Sequence, residues 1–166
     1  MSDKELMKEN DKMTLSKGMT MSRFSYGAKL TPDEVDGGWV VTVRDIPEAI
    51  TQGDDVESAL READDCLEEA IAARIDDQRE IPIPSPLMSD EYLVCLPIQT
   101  ALKASVYLAM KESTLSKVQL ASKLNVDEKE VRRILDPHHR TKLPTIERAL
   151  QALGQQISLT ITSTQV

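Results

Sequence analysis

Prolines at 82, 84 and 86 stand in the run REIPIPSPLMSDE, residues 79 to 91, and this run limits the folds open to the chain more than any other feature. Proline lacks the amide hydrogen that helices and central strands need, and it holds the residue before it away from helical angles. The stretch is therefore extended. It also lies close to a change of charge. Residues 23–97 hold 6 basic and 18 acidic residues, whereas residues 98–166 hold 10 basic and 6 acidic. The net charge of −8 for the whole chain averages an acidic front and a basic back. Such asymmetry points to two modules with different partners, with the boundary in or just after the proline run.

Residues 1–22 are polar and carry charges of both signs, too few apolar groups to offset the entropy of ordering, so they read as a disordered extension. They lack the apolar core of a signal peptide, and no run approaches the ~18 apolar residues of a membrane span. We expect a cytoplasmic protein with no membrane partner. Cys66 and Cys95 read as buried free thiols, and the adjacent His138 and His139 diverge without a ligand cluster around them. No metal and no cofactor are expected.

In the front module, residues 23–31 suit a first strand, 32–38 a glycine-containing turn, 39–46 a second strand and 49–53 a short third. Residues 54–77 form the clearest helix. Val56, Ala59, Leu60, Ala63, Leu67, Ala70 and Ile71 recur at spacings of three and four, an apolar stripe able to cover a sheet. Acidic residues fill much of the remaining surface, which ordinarily means a solvated face. Residues 92–98 read as a further strand. The order predicts a small α+β layer. No catalytic constellation is present: the module has no histidine, no phosphate-cradling glycine loop and no metal-ligand spacing. A metal-dependent nuclease would need Asp45 and a nearby acid to converge on Mg²⁺, and a ligand sensor would need an apolar pocket. Dense negative charge better suits docking with a basic protein than holding nucleic acid.

The basic back reads as helices. Residues 98–112 form one, with Leu102, Val106, Leu108 and Ala109 inward. Ser116 caps a short helix to Leu124. Asn125 falls where a tight turn needs left-handed backbone, and Asp127 caps the next helix. Leu120, Ala121, Leu124, Val126, Val131, Ile134 and Leu135 are spaced to pack the two together, the pattern of a helix-turn-helix. A plain helical bundle would share much of it. Glu128, Lys129, Arg132 and Arg133 are left outward on the second helix, where such motifs meet the major groove. His139, Arg140, Thr141 and Lys142 follow in a loop suited to phosphates, and Lys117 opens the first helix. Pro144 fits the first turn of a last helix closed by Gly154. Ile157, Leu159 and Ile161 alternate with polar residues over 156–163, a half-buried strand whose partner edge is a symmetry mate or the first module.

The run GGWVVTVRDIPEAITQGDDVESALREADDCLEEAI, together with the later IPIPSP, resembles HicB-type antitoxins. The shared pattern is a Gly-aromatic hairpin, an Asp–hydrophobic–Pro turn, a Thr-Gln-Gly strand end and an Ala-rich acidic helix, and the likeness spans roughly residues 23–163. The resemblance implies a partial ribonuclease-H-like fold without nuclease activity for residues 23–97. It implies that this module binds a small basic HicA-type toxin that cleaves mRNA. Candidate contacts are Trp39, Asp45, Glu48, Glu57, Asp64, Asp65 and Glu68. Residues 98–166 resemble the helix-turn-helix branch, which implies operator binding and repression by a homodimer or higher oligomer. Lys117 stands where that motif often has Gln, and Asn125 where Gly is usual. A one-component repressor sensing a small ligand is the competing expectation.

Overall fold

The computed structural model describes residues 23–158, together with Thr14–Leu15 and Met19–Thr20. These two dipeptides, β1 and β2, pair antiparallel. The expected disorder of residues 1–22 otherwise lies outside the described residues. The remainder is α+β, as its pattern predicts, and divides into two compact units. One comprises the described residues up to Leu67 with Pro82–Leu96, the other Glu68–Ile81 with the described residues from Pro97 onward.

The first unit is built on strands β3 (Ser25–Pro32), β4 (Trp39–Val43), β5 (Ile50–Gly53) and β6 (Glu91–Cys95), in the antiparallel order β5-β4-β3-β6. Directly paired residues share a face. Ala28 opposite Val43, Leu30 opposite Val41 and Tyr26 opposite Val94 therefore define one side. Tyr26, Ala28, Val41, Val43 and Val94 are buried there, with Ala59, Ala63 and Leu67 from the first half of helix α1 (Val56–Asp76). Glycine permits this close approach. A side chain at Gly53 would strike the backbone of Ala59, and one at Gly38, where φ is +83°, would sit 2.6 Å from the Gly53 oxygen. These two glycines belong to the Gly-aromatic hairpin and the Thr-Gln-Gly strand end.

The proline run is held by side chains. Tyr26 Oη–H and Arg23 donate to the Pro82 carbonyl at 2.9 and 2.8 Å, and Arg44 donates to that of Pro86 at 2.9 Å. The Ser85 amide and hydroxyl donate to Asp45 at 2.8 and 2.7 Å. These bonds satisfy the Pro82 and Pro86 carbonyls and the Ser85 amide of an extended segment that has no ladder partner. Arg44 also grips Glu91 with two bonds of 2.8 Å, and the Glu91 carboxylate lies over Gly27. Cys66 is half-buried where a buried thiol was expected, and burial pushes its thiol up. Cys95 is exposed, contrary to expectation, because it sits on edge strand β6; its thiol bonds Ser25 Oγ at 3.2 Å.

The second unit holds the other half of α1 and helices α2 (Ile98–Glu112), α3 (Lys117–Leu124), α4 (Glu128–Leu135) and α5 (Leu143–Ala152). Ile71 is buried as its place in the stripe predicts, and Ala72 and Ile75, with Arg74, are buried beyond the predicted positions. Glu68 accepts a hydrogen bond from Thr100, and Tyr107 Oη–H donates to the Arg79 carbonyl. The aliphatic core joins Val106, Leu120, Leu124, Val131, Ile134, Ile146 and Leu150. Residues 156–158 are not in a strand, and Ile157 packs against this core. Leu159 and Ile161 lie outside the described residues.

Candidate functional site

The helical unit carries a basic surface set on a tightly specified turn. A reciprocal cap starts α3: Ser116 Oγ accepts from the Gln119 amide at 3.2 Å, and Gln119 Oε1 accepts from the Ser116 amide at 2.8 Å. Asn125 ends α3 at φ 54° and ψ 48°, the left-handed conformation expected from its place in the sequence. Asp127 Oδ1 then accepts from the Glu130 amide at 2.7 Å and caps α4. Val131 and Ile134 are buried, leaving Lys129, Arg132 and Arg133 exposed along α4. Lys117, His139, Arg140 and Lys142 are also exposed.

Carboxylates on the same helix hold the two arginines. Arg132 bonds Glu128 at 2.7 Å, one turn away, and Arg133 bonds Glu130 at 3.3 Å. Exposed pairs of this kind are weak and exchange readily for other acceptors. Glu128 is thus placed to orient Arg132. Thr141, expected to touch phosphate, is turned inward and is only 8% exposed. Its hydroxyl accepts a 2.7 Å bond from Lys103 Nζ, and His139 Nδ1 lies 3.3 Å from it. His138 instead meets Asp76 at 3.1 Å.

Lys103 has no counterpart in the sequence reading. It is fully buried on α2 and donates to the carbonyls of Arg133 and Ile134 at 2.8 and 2.9 Å as well as to Thr141. Burial brings its ammonium down to about 8, against the opposing pull of the Asp136 and Glu130 carboxylates.

In the first unit, several expected partner contacts are engaged internally. Asp45 is held by Ser85, and Asp64 Oδ1 accepts from the Cys95 amide at 3.0 Å. Glu68, in the other unit, is taken by Thr100. Trp39 is half-buried on β4, whereas Glu48, Glu57 and Asp65 expose their side chains. Glu62 is exposed on α1 three residues before Asp65; its place on that acidic face was legible from helical spacing.

Residues 25–105 match the family described as HicB_like antitoxin of bacterial toxin-antitoxin system. The chain is 36% identical over 134 residues to Antitoxin HicB of Escherichia coli (strain K12), covering 81% of this chain and 96% of that protein. The chain belongs to the HicB antitoxin family. Antitoxin HicB 1 of Photorhabdus laumondii subsp. laumondii is 37% identical over 155 residues, 90% of this chain and 98% of that relative. Antitoxin HicB 2 of the same organism is 40% identical over 134 residues, 81% and 94% of the two chains. The alignments to HicB relatives are longer than the 25–105 match. Among the described residues of this HicB-family chain, no helix is long and apolar enough to cross a membrane.

Proposed function

We propose that this antitoxin neutralises a small, basic, mRNA-cleaving HicA-type toxin through its first unit, and represses its own operon by binding operator DNA through α3 and α4. It acts in the cytoplasm by binding and not by catalysis. The observation that carries the DNA reading is the capped α3–Asn125–α4 turn, with Lys129, Arg132 and Arg133 exposed on its second helix. That pair forms a helix-turn-helix in which α4 enters the major groove. Arg132, Arg133 and Lys129 address base edges, and Lys117, His139, Arg140 and Lys142 the phosphates. Trp39, Glu48, Glu57 and Asp65 are the toxin-facing groups, favoured by family membership and by the acidity of this part of the chain. Leu159 and Ile161 contribute to a dimer or higher oligomer that reads a two-fold site.

Two measurements test the two arms separately. Arg132→Ala and Arg133→Ala should each weaken binding to a duplex from upstream of the operon by about 1–3 kcal/mol. Unchanged affinity in both removes α4 as the reader. For the other arm, the full chain co-expressed with the toxin should protect cellular mRNA. The pair Glu57→Lys and Asp65→Lys should reduce that protection while leaving DNA binding intact, and protection undiminished by both changes would move the toxin surface elsewhere.

A further inference from the structure

We infer that Lys103 is a positioning residue for DNA recognition: its ammonium ties the end of α4 to the basic loop that follows and so sets the register between the base-reading and phosphate-holding groups. The inference rests on the DNA-reading role proposed above for α4.

A lysine is almost never fully buried without a charged partner. Lys103 is 0% exposed, and every bond it makes goes to a neutral acceptor. Taking an ammonium out of water is costly, so it stays here only by virtue of the acceptors it satisfies. The charge therefore matters through what it holds. Two of its acceptors, the Arg133 and Ile134 carbonyls, belong to the last turn of α4, where carbonyls lack helical partners and the helix dipole favours a cation. The third is Thr141, which lies between Arg140 and Lys142 in the chain. One ammonium thus fixes α4, which carries Arg132 and Arg133, relative to the loop that carries Arg140 and Lys142. Phosphate contacts set the register in which base contacts are read, so loosening this tie costs affinity without requiring the domain to unfold.

The charged and titratable groups around the tie are Asp136 and Glu130, which favour the ammonium, and His139, which touches Thr141. Burial outweighs the carboxylates and leaves the ammonium at about 8 when folded, below its ordinary 10.5. The folded state consequently gives up this proton before the unfolded state does. Between about pH 8 and 10.5, rising pH therefore makes this group's contribution to folding more favourable. The same deprotonation removes the charge and one donor from the tie. A purely structural lysine predicts only the gain in stability, whereas a positioning lysine predicts DNA affinity falling as stability rises.

The test uses the full chain and a fluorescently labelled duplex of the DNA immediately upstream of its operon. Anisotropy is read from about pH 7 to about pH 9.5, with urea unfolding in parallel. Wild type should lose about tenfold in affinity across that range. Lys103→Met, read under conditions where urea unfolding shows it folded, should already be about tenfold weaker at neutral pH, with a flattened profile. Thr141→Val keeps the lysine, should also weaken binding, and serves if Lys103→Met does not fold. Arg140→Ala should lower affinity but keep the wild-type pH slope. Wild-type affinity and slope in Lys103→Met, or wild-type affinity in Thr141→Val should the first variant not fold, overturn the inference while leaving the DNA reading standing. A wild-type chain that does not bind the duplex at any pH overturns the DNA reading itself, and the inference with it.

Discussion

Gly27 is a residue whose importance lies in the side chain it lacks. It sits on β3 where the Glu91 carboxylate comes down over the sheet, and any Cβ there would collide with that carboxylate. The carboxylate is already bound by Arg44 and by the Met88 amide at 2.8 Å, so its freedom to move aside is small. The pair also holds the Arg44 guanidinium charged beyond its ordinary range. Gly27→Ala should destabilise the chain by about 1–3 kcal/mol, read from the urea midpoint. A change below a few tenths of a kcal/mol would mean that the Arg44–Glu91 pair relocates freely. Nothing in the local pattern of β3 reveals this role, since the neighbour that forbids a side chain is 64 residues away in sequence, at position 91 against position 27. The same limit applies to Lys103, Asp45 and Thr141. Residue type argues for the surface in each case, and only the fold supplies acceptors or donors from other elements. The exposed Lys129, Arg132 and Arg133 were legible because Val131 and Ile134 define the opposite side of one short helix.

At the scale of elements, what was legible was what is encoded locally. Caps at Ser116 and Asp127 and the left-handed Asn125 depend on neighbours within a few positions, and the structure forms all three. The end of α1 was harder to read. Gln78 takes a left-handed conformation with φ 56°, a place usually held by glycine, while the Arg79 amide reaches back to the Arg74 carbonyl at 2.8 Å. With a Cβ, that conformation is strained. Gln78→Gly should therefore stabilise the chain by about 0.5–1 kcal/mol, the gain limited by the greater freedom of glycine in the unfolded state. Thermal unfolding measures it, and a lower melting temperature would show that the Gln78 side chain contributes more than its backbone strain costs. The sequence pattern placed α1 well but not its division between units, because a continuous apolar stripe looks the same whether it covers one partner or two.

For the whole molecule, the uneven charge carries the functional consequence. An average of −8 hides a back segment with 10 basic and 6 acidic residues, and under the proposed function operator affinity should track that local excess. The logarithm of affinity should fall linearly with the logarithm of salt concentration. Lys142→Ala should reduce that slope by about one and weaken binding evenly across sequences. A sequence-selective loss instead would make Lys142 a base reader. The charge division was visible from the chain alone, as was the order of sheet followed by helices. The membership of Glu68–Ile81 was not, because compositional change drew attention to the proline run while the grouping depends on bonds such as Tyr107 to Arg79 and Thr100 to Glu68.

That interleaving bears on how such a protein can be recombined. The two units are not consecutive lengths of chain: Glu68–Ile81 belongs with the helices, and the following Pro82–Leu96 returns to the sheet. A single crossover at the proline run or at Pro97 would leave one parent's helix end to serve the other parent's helical unit. A hybrid that exchanges the whole helical unit must therefore graft two separate stretches, the first of them starting in the middle of α1, or accept a helical unit built from two parents.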